Sequence, residues 1–235
     1  MQKLGYYFIP FLCFISCQNN EKASSSIQSL PIVKNAPIEK SKAITYDYDT
    51  TMWTDIAHLD STILLDLKYA TTDNFVQEKM YECGRCFLRP TPAKLIAQAH
   101  QQLQKQGLGL KLFDCYRPRP IQEKLWKKVP NASYVTPPWK GSMHNRGAAI
   151  DLTIVDKAGK ELDMGTPFDF FGQEAHHTYT KHSSEVTANR KLLRDLMESL
   201  DLKTIRTEWW QYSYRRVKYE IGEMLWDFKN YTMSL

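Results

Sequence analysis

The sequence has 235 residues, of which 43% are hydrophobic and 24% are charged, and its formal net charge is +5. This composition is typical of a soluble globular domain and excludes a largely disordered chain or one that spans membranes repeatedly. The net charge is modest for this length and Lys and Arg form no run, so a nucleic-acid-binding protein is not expected.

The first residues predict an export signal. Lys3 is followed by an apolar run over residues 4–15, too short to span a bilayer comfortably, and the run ends at Ser-Cys. Phe-Ile-Ser-Cys at positions 14–17 resembles a bacterial lipobox, so residues 1–17 are the expected lipoprotein signal peptide and Cys17 the lipidation site. The alternative is an ordinary secretory signal that happens to contain a cysteine. We expect a protein of the bacterial cell envelope, lipid-anchored on the periplasmic side.

Residues 18–46 predict a flexible tether. They are rich in Ser, Lys, Asn and Pro and have little apolar periodicity, so they cannot bury enough surface to offset the entropy of ordering. The folded domain is therefore expected over residues 47–235. A tether of this kind suits a substrate or partner that lies in the cell wall, although the sequence identifies no protein partner.

The folded part predicts short strands mixed with amphipathic helices. The sequence pattern favours strands over residues 63–69, 110–113 and 151–155, and a strand or extended chain over residues 204–214. It favours helices over residues 91–106 and 184–200, and a further helix that begins over residues 118–126. Thr91 and Pro92 fit an N-cap and a first-turn proline. A polar, proline-containing loop is expected over residues 129–141. Strands and segregated helices of this kind indicate an α+β domain.

Three cysteines fall in the folded part, at Cys83, Cys86 and Cys115. Cys83 and Cys86 have the CxxC spacing of metal and redox sites, but a single such pair is a weak signal. In an oxidising envelope, a structural disulfide between Cys115 and one of the other two is favoured. The sequence leaves open which of the two is its partner.

A histidine and an aspartate lie seven residues apart in the segment Ser-Met-His-Asn-Arg-Gly-Ala-Ala-Ile-Asp, residues 142–151. The turn at Gly147 can bring His144 beside Asp151, and imidazole nitrogen and carboxylate oxygen are both good zinc donors. Asp151 also begins an apolar strand, where an ionised carboxylate is costly unless a metal or another cation compensates it. The alternative is a surface pair near a turn.

Two further segments contain candidate catalytic side chains. Glu208 precedes two tryptophans, and apolar surroundings raise the pKa of a glutamate toward the range useful for acid–base catalysis. The alternative is that Glu208 is merely an edge residue of a core strand. Arg117 follows a buried strand, where a guanidinium can stabilise an oxyanion or hold a carboxylate. Its alternative is a structural salt bridge with Asp114.

Taken in order, these segments resemble a known family. The pattern SxHxxGxAxD at residues 142–151, preceded by DxYRP at 114–118 and followed by Glu-Trp-Trp at 208–210, is similar to the D-alanyl-D-alanine dipeptidases of the VanX type. These belong to peptidase family M15, within the zinc D,D-peptidases and the hedgehog-like fold group. The resemblance covers roughly residues 63–214. It implies an α+β fold in which helices pack on a small antiparallel sheet.

The resemblance also implies a function. It implies one Zn2+ ion per chain and hydrolysis of D-Ala-D-Ala or related short D-amino-acid peptides derived from peptidoglycan. His144 and Asp151 would then be zinc ligands, and Glu208 the catalytic base that takes a proton from water. Arg117 would polarise the scissile carbonyl or steady the tetrahedral intermediate. Substrate binding is assigned to Ser142 and Asp114.

One position departs from the family pattern. The family has its third zinc ligand, a histidine, three residues after the catalytic glutamate, whereas this chain has Gln211 there. An amide oxygen is a poorer zinc donor than an imidazole, so three outcomes are open. Gln211 ligates weakly, one of His176, His177 and His182 takes its place, or the protein is a catalytically impaired pseudoenzyme that binds cell-wall peptides. A purely structural envelope lipoprotein, which would bind no metal, is a further alternative.

Overall fold

The computed structural model describes residues 45–224. The expected signal peptide, the expected lipidation site at Cys17 and residues 18–44 of the expected tether lie outside the described residues. Within residues 45–224, no helix has both the length and the apolar character needed to cross a bilayer.

The described part contains seven strands and four α-helices. In chain order they are β1 (Thr54–Asp55), α1 (Ile56–Leu59), β2 (Leu64–Leu65), β3 (Phe87–Leu88), α2 (Pro90–Gln104), β4 (Leu108–Asp114), α3 (Arg119–Lys128), β5 (Ala149–Asp156), α4 (Ser184–Ser199), β6 (Leu202–Ile205) and β7 (Glu208–Tyr214). Three short 3-10 turns lie between them, at Lys68–Ala70, His144–Arg146 and Gln173–Ala175.

Five of the strands form one sheet in the order β2-β4-β5-β7-β6, and β1 pairs with β3 in a separate two-stranded sheet. The pairs β4–β5, β5–β7 and β6–β7 are antiparallel. The two-residue edge strand β2 runs parallel to its neighbour β4. The α+β class is confirmed.

Helices cover the sheet with their apolar faces. Helix α2 contacts β4 and buries Ala93, Ile96, Ala99 and Leu103 at the spacing of one helix face. Helix α4 contacts β6 and the neighbouring strands. Two expectations need correction. Helix α2 begins at Pro90 rather than at Thr91, because proline is preorganised for the first helical position. The strand expected over residues 63–69 is only the two-residue β2, followed by a 3-10 turn.

A disulfide joins Cys86, which precedes β3, to Cys115, which follows β4. It confirms the expected structural disulfide at Cys115 and identifies Cys86 as its partner, while Cys83 takes no part in it. The bond lies at the end of β4, where the backbone continues through Tyr116 to Arg117. It therefore ties the first half of the domain to the segment that carries the predicted catalytic arginine.

The three central strands bring one polar residue each into a row across the sheet. Asp114 of β4 pairs with Asp151 of β5, and Asp151 pairs with Gln211 of β7. A register shift in β4 between Leu112 and Asp114 immediately precedes this row. Because paired residues of neighbouring strands lie side by side, the sheet itself assembles this part of the site.

Candidate active site

A cavity of about 370 Å³ lies beside this row. Six of the seven site residues predicted in the folded part line it, and they are Arg117, Ser142, His144, Asp151, Glu208 and Gln211. Four segments of the chain meet here: the residues after β4, the turn before β5, the start of β5 and the first half of β7. The fold therefore brings together predicted site residues that are up to 94 positions apart in the sequence, from Arg117 to Gln211.

His144 is placed by a tight turn. The turn ends at Gly147, whose φ of 65° lies in the left-handed region, and a Cβ there would come within 2.4 Å of the Trp53 ring. Glycine suits both the left-handed backbone conformation and the close approach of the Trp53 ring, because it has no Cβ. Nδ1 of His144 lies 2.7 Å from the carbonyl oxygen of Cys115 and donates to it when it carries the proton. This leaves Nε2 for the cavity.

Nε2 of His144 faces two oxygen donors. It lies 3.4 Å from Oδ1 of Asp151 and 3.3 Å from Oε1 of Gln211. Two donors at about 2.0–2.2 Å from a tetrahedral metal ion are about 3.3–3.6 Å apart, so both distances fit ligands of one ion. Asp151 Oδ1 is buried and has no hydrogen-bond partner among residues 45–224, a costly arrangement that a bound cation would relieve. His144, Asp151 and Gln211 therefore fit a metal ion.

Asp114, the other predicted substrate-binding residue, lies beside Arg117 and His144. Its ligand atom lies within 4.8 Å of those of His144 and Asp151, so these three side chains are also close enough to share an ion. However, Oδ2 of Asp114 accepts hydrogen bonds from Nε and Nη2 of Arg117, at 3.0 and 2.5 Å, and faces His144 from the Nδ1 side. Asp114 is also absent from the cavity lining. This position suits orienting Arg117 and His144 rather than contacting substrate.

Burial and neighbouring charges shift the pKa values of three side chains at the site, His144, Asp151 and Glu208. Burial alone would lower the pKa of His144, but the carboxylates of Asp151 and Asp114 outweigh it and raise that pKa to about 9. Burial raises the pKa of Asp151 against the opposing effect of His144. Burial and then the negative charge of Asp151 raise the pKa of Glu208 to about 8. A bound cation would lower both carboxyl pKa values, so a metal ion suits this cavity electrostatically.

Glu208 and Gln211 reach the same cavity through an irregularity in β7. Thr204 of β6 pairs with Tyr212 of β7, but the next residue, Ile205, pairs with Glu208. The residues of β7 between Glu208 and Tyr212 therefore have no partner on β6. Residues three apart on a regular strand would face opposite sides. The irregularity explains how both side chains line one cavity.

Arg117 is held rigidly at the cavity wall. Besides its two hydrogen bonds to Asp114, its Nη1 donates to Oε1 of Gln122 at 3.0 Å, and its guanidinium lies 4.8 Å from the centre of the Tyr69 ring. Burial lowers its pKa, but the charge of Asp114 raises it further, so Arg117 stays a fixed positive charge. Arg117 therefore forms the salt bridge with Asp114 and also lines the cavity.

Asp169 is a site residue that the sequence reasoning missed. It lines the cavity, its φ of 57° lies in the left-handed region, and its Oδ2 accepts a hydrogen bond from Tyr69 Oη at 2.9 Å. Burial and then the charge of Asp151 raise its pKa well above the usual value. The sequence does contain a signal, since Asp169 is a lone acid between Phe168 and Phe170. An acid among aromatic residues is a candidate for a desolvated site.

The three histidines considered as substitutes for Gln211 do not line this cavity. His176 lines a neighbouring cavity, His177 packs against the ring of Tyr212, and Nε2 of His182 lies 2.9 Å from the carbonyl of Glu174. Gln211 is therefore the side chain that the fold places beside His144 and Asp151.

The fold and the donor group define a metallopeptidase. The family model described as D-ala-D-ala dipeptidase, of peptidase family M15, matches residues 49–224, and the chain belongs to this family. The chain is 35% identical over 164 residues to the D-alanyl-D-alanine dipeptidase of Escherichia coli, covering 70% of this chain and 85% of that protein.

Two enterococcal relatives carry the same name. The chain is 32% identical over 168 residues to the D-alanyl-D-alanine dipeptidase of Enterococcus faecalis, covering 63% of this chain and 83% of that protein. The Enterococcus faecium protein of the same name is 33% identical over 175 residues, with coverages of 66% and 87%. The alternative of a non-catalytic pseudoenzyme finds no support in these comparisons.

Proposed function

We propose that this protein hydrolyses D-Ala-D-Ala, or a related short D-amino-acid peptide released from peptidoglycan, with one zinc ion per chain. The observation that carries the proposal is the position of Asp151 Oδ1, which is buried and has no hydrogen-bond partner among the described residues. It lies 3.4 Å from Nε2 of His144. Membership of a dipeptidase family and the names of the relatives support the substrate class.

His144, Asp151 and Gln211 would hold the zinc ion. One histidine nitrogen and two oxygens are donors that zinc accepts, and three protein ligands leave one position open. A zinc ion bound there would polarise the scissile carbonyl and lower the pKa of water. The Cys115 carbonyl and Asp114, at 2.7 and 3.3 Å from Nδ1, would fix the ring of His144 in the orientation that ligation needs.

Glu208 and Arg117 would carry out the proton transfer and the charge stabilisation. Glu208 takes the proton from the attacking water and delivers it to the leaving amine, because its carboxyl lines the same cavity. Burial raises its pKa to about 8, and a bound cation would lower that pKa toward neutrality. Arg117 stabilises the negative charge that develops on the carbonyl oxygen. Its hydrogen bonds to Asp114 and Gln122 hold it in place before the reaction, so little reorganisation is needed.

Asp169 and Ser142 would bind the polar groups of the substrate. A free dipeptide carries an ammonium group, and Asp169 supplies a cavity carboxylate that a cation would stabilise. Ser142 Oγ accepts the backbone N–H of His144 at 3.2 Å, which leaves the hydroxyl proton to donate to the peptide. The dipeptide would thus be held on both sides of the bond that breaks.

We further propose that the protein is anchored in the bacterial cell envelope. The sequence pattern of residues 1–17, followed by the expected tether over residues 18–46, supports export and lipid anchoring at Cys17 on the periplasmic side of the membrane. Labelling of cells with an alkyne fatty acid tests this. The wild-type protein should take up the label and fractionate with membranes, whereas the Cys17→Ala variant should do neither. An unlabelled wild-type protein would contradict the anchor.

Activity is tested by release of D-alanine from D-Ala-D-Ala, using metal-stripped protein that has been reloaded with zinc. Glu208→Gln should lower kcat by about 10²–10⁴-fold, while zinc content and circular dichroism stay unchanged. Glu161→Gln is the matched control, because Glu161 is exposed and pairs with Lys111 at 3.1 Å, away from the cavity. Absence of turnover by folded, zinc-loaded wild-type protein would overturn the proposal, as would full activity of Glu208→Gln.

A further inference from the structure

Two aromatic rings stack above the reaction cavity. The ring centroids of Tyr134 and Phe171 are 4.4 Å apart and the planes are inclined by only 28°. Tyr134 belongs to the loop after α3, and Phe171 to the loop after β5. The two side chains are 44% and 37% exposed, so the stack lies at the surface. We name this pair the aromatic partition.

The aromatic partition borders two cavities. The second cavity has a volume of about 300 Å³ and shares Tyr134 and Phe171 with the reaction cavity. Glu208 also lines both cavities. Because the proposed catalytic base borders both spaces, the second cavity begins beside the bond that would be cleaved. It is therefore positioned to receive a substrate longer than the reaction cavity can hold.

The second cavity offers a positive group to such a substrate. Its lining includes Arg206 and His176 together with the aromatic side chain of Phe170. An arginine guanidinium matches a carboxylate in charge and geometry. Within the reaction cavity, Asp169 provides the complementary acid for an ammonium group. A peptide with its ammonium at Asp169 and its carboxylate near Arg206 would meet a protein group of opposite charge at each end.

The partition can open at small cost. The stacking of one aromatic pair contributes only a small free energy beyond its buried area. Phe171 has a second ring contact, edge-on with Phe75 at 5.0 Å, whereas Tyr134 is followed by the buried Val135, which anchors the loop beneath it. Tyr134 is therefore the partner that can swing away while its loop stays in place.

We propose that Tyr134 and Phe171 determine the length of the peptide that this enzyme accepts. When stacked, they confine the substrate to a dipeptide. When Tyr134 is displaced, the second cavity receives the next residue of a C-terminally extended peptide, whose carboxylate faces Arg206. This inference rests on the proposed function and specifies its substrate.

The test is the ratio of kcat/KM for D-Ala-D-Ala-D-Ala to kcat/KM for D-Ala-D-Ala. Tyr134→Ala and Phe171→Ala should each raise this ratio by up to about tenfold, which corresponds to loss of the stacking energy. Adding Arg206→Gln to Tyr134→Ala should remove most of the gain. Trp139→Ala is the matched control, since this exposed aromatic of the same loop packs against Trp126 and lines neither cavity. It should leave the ratio unchanged.

An unchanged ratio in both Tyr134→Ala and Phe171→Ala would overturn the inference, even if the dipeptide is cleaved normally. If the wild-type protein cleaves no dipeptide, the proposed function fails, and peptide binding decides the question of length. Calorimetric titration of zinc-loaded protein in a Glu208→Gln background should then show that Tyr134→Ala strengthens binding of the tripeptide relative to the dipeptide. Equal changes for both peptides would overturn the inference.

Discussion

Asp151 and Gln211 are direct cross-strand partners between β5 and β7. Side chains at paired positions project from the same face, so the backbone register sets the carboxylate and the amide next to each other. His144 then reaches the same point from the turn before β5, at 3.3 Å from Gln211. A slip of one residue between these strands would turn one of the two donors to the other face. Metal binding and sheet register are thus linked.

The departure from the family pattern at Gln211 predicts a change in zinc affinity. Gln211→His should tighten zinc binding, because an imidazole is a better zinc donor than an amide oxygen, and Gln211→Ala should weaken it. Loss of groups that only orient ligands weakens metal binding by about 10–100-fold, and loss of a ligand should weaken it at least as much. Competition with a chromophoric chelator measures both changes.

Gln122→Ala serves as a comparison for the Gln211 variants, because Gln122 contacts Arg117 rather than the donor group. It should reduce activity while leaving zinc affinity close to that of the wild type. Zinc affinity that is the same in Gln211→Ala and in the wild type would show that Gln211 is not a ligand.

Asp169→Asn should weaken recognition of the substrate ammonium group. A hydrogen bond to a charged group contributes about 1.5–3 kcal/mol, so kcat/KM for D-Ala-D-Ala should fall by about 10–100-fold. N-acetyl-D-Ala-D-Ala has no ammonium group and should lose much less in the same variant. Asp195→Asn, on the exposed face of α4, is the control. Equal losses for the two substrates would contradict the assignment.

The disulfide between Cys86 and Cys115 should contribute to stability. It closes a loop with a sequence separation of 29, for which the chain-entropy model gives about 3–4 kcal/mol. The double variant Cys86→Ser, Cys115→Ser should therefore lower the free energy of unfolding in urea by roughly this amount. Cys83→Ser, which leaves the disulfide intact, should change it much less. Equal effects of the two changes would argue against this disulfide.

We expect the half-buried side chain of His177 to make the folded protein less stable in weak acid. Burial, followed by the positive charges of Arg194 and Arg190, lowers its pKa to about 4, while an unfolded histidine titrates near 6.5. The unfolded state therefore binds the proton first. Its contribution is fully present above about pH 6.5 and is lost as the pH falls toward 4.

Urea unfolding at about pH 7 and about pH 5 tests this. His177→Gln should lose less stability between the two pH values than the wild type does. His58→Gln, at an exposed position, should follow the wild type. Identical pH dependence in His177→Gln and the wild type would contradict the effect.

Much of the site was predictable because its residues stand in short, local patterns. The segment 142–151 places His144 and Asp151 on either side of a glycine turn, and the strongly periodic strand β5 and helix α4 appear close to their expected bounds. The family resemblance is confirmed by the match over residues 49–224. The order of these local patterns along the chain is what carried the resemblance.

The remainder depends on contacts between distant parts of the chain. Nothing near Asp169 indicates that Tyr69, 100 residues earlier, will donate a hydrogen bond to it in the reaction cavity. The disulfide partner of Cys115 is likewise decided by where β3 meets the end of β4. Asp114 was assigned to substrate from its motif, and only the fold places its carboxylate behind Arg117.

The most direct measurement is anomalous diffraction from crystals of the zinc-loaded protein, collected at the zinc edge. We expect one peak per chain, at about 2.0–2.2 Å from Nε2 of His144, Oδ1 of Asp151 and Oε1 of Gln211. A peak coordinated by Asp114 in place of Gln211, or no peak between His144 and Asp151 in folded protein, would contradict it.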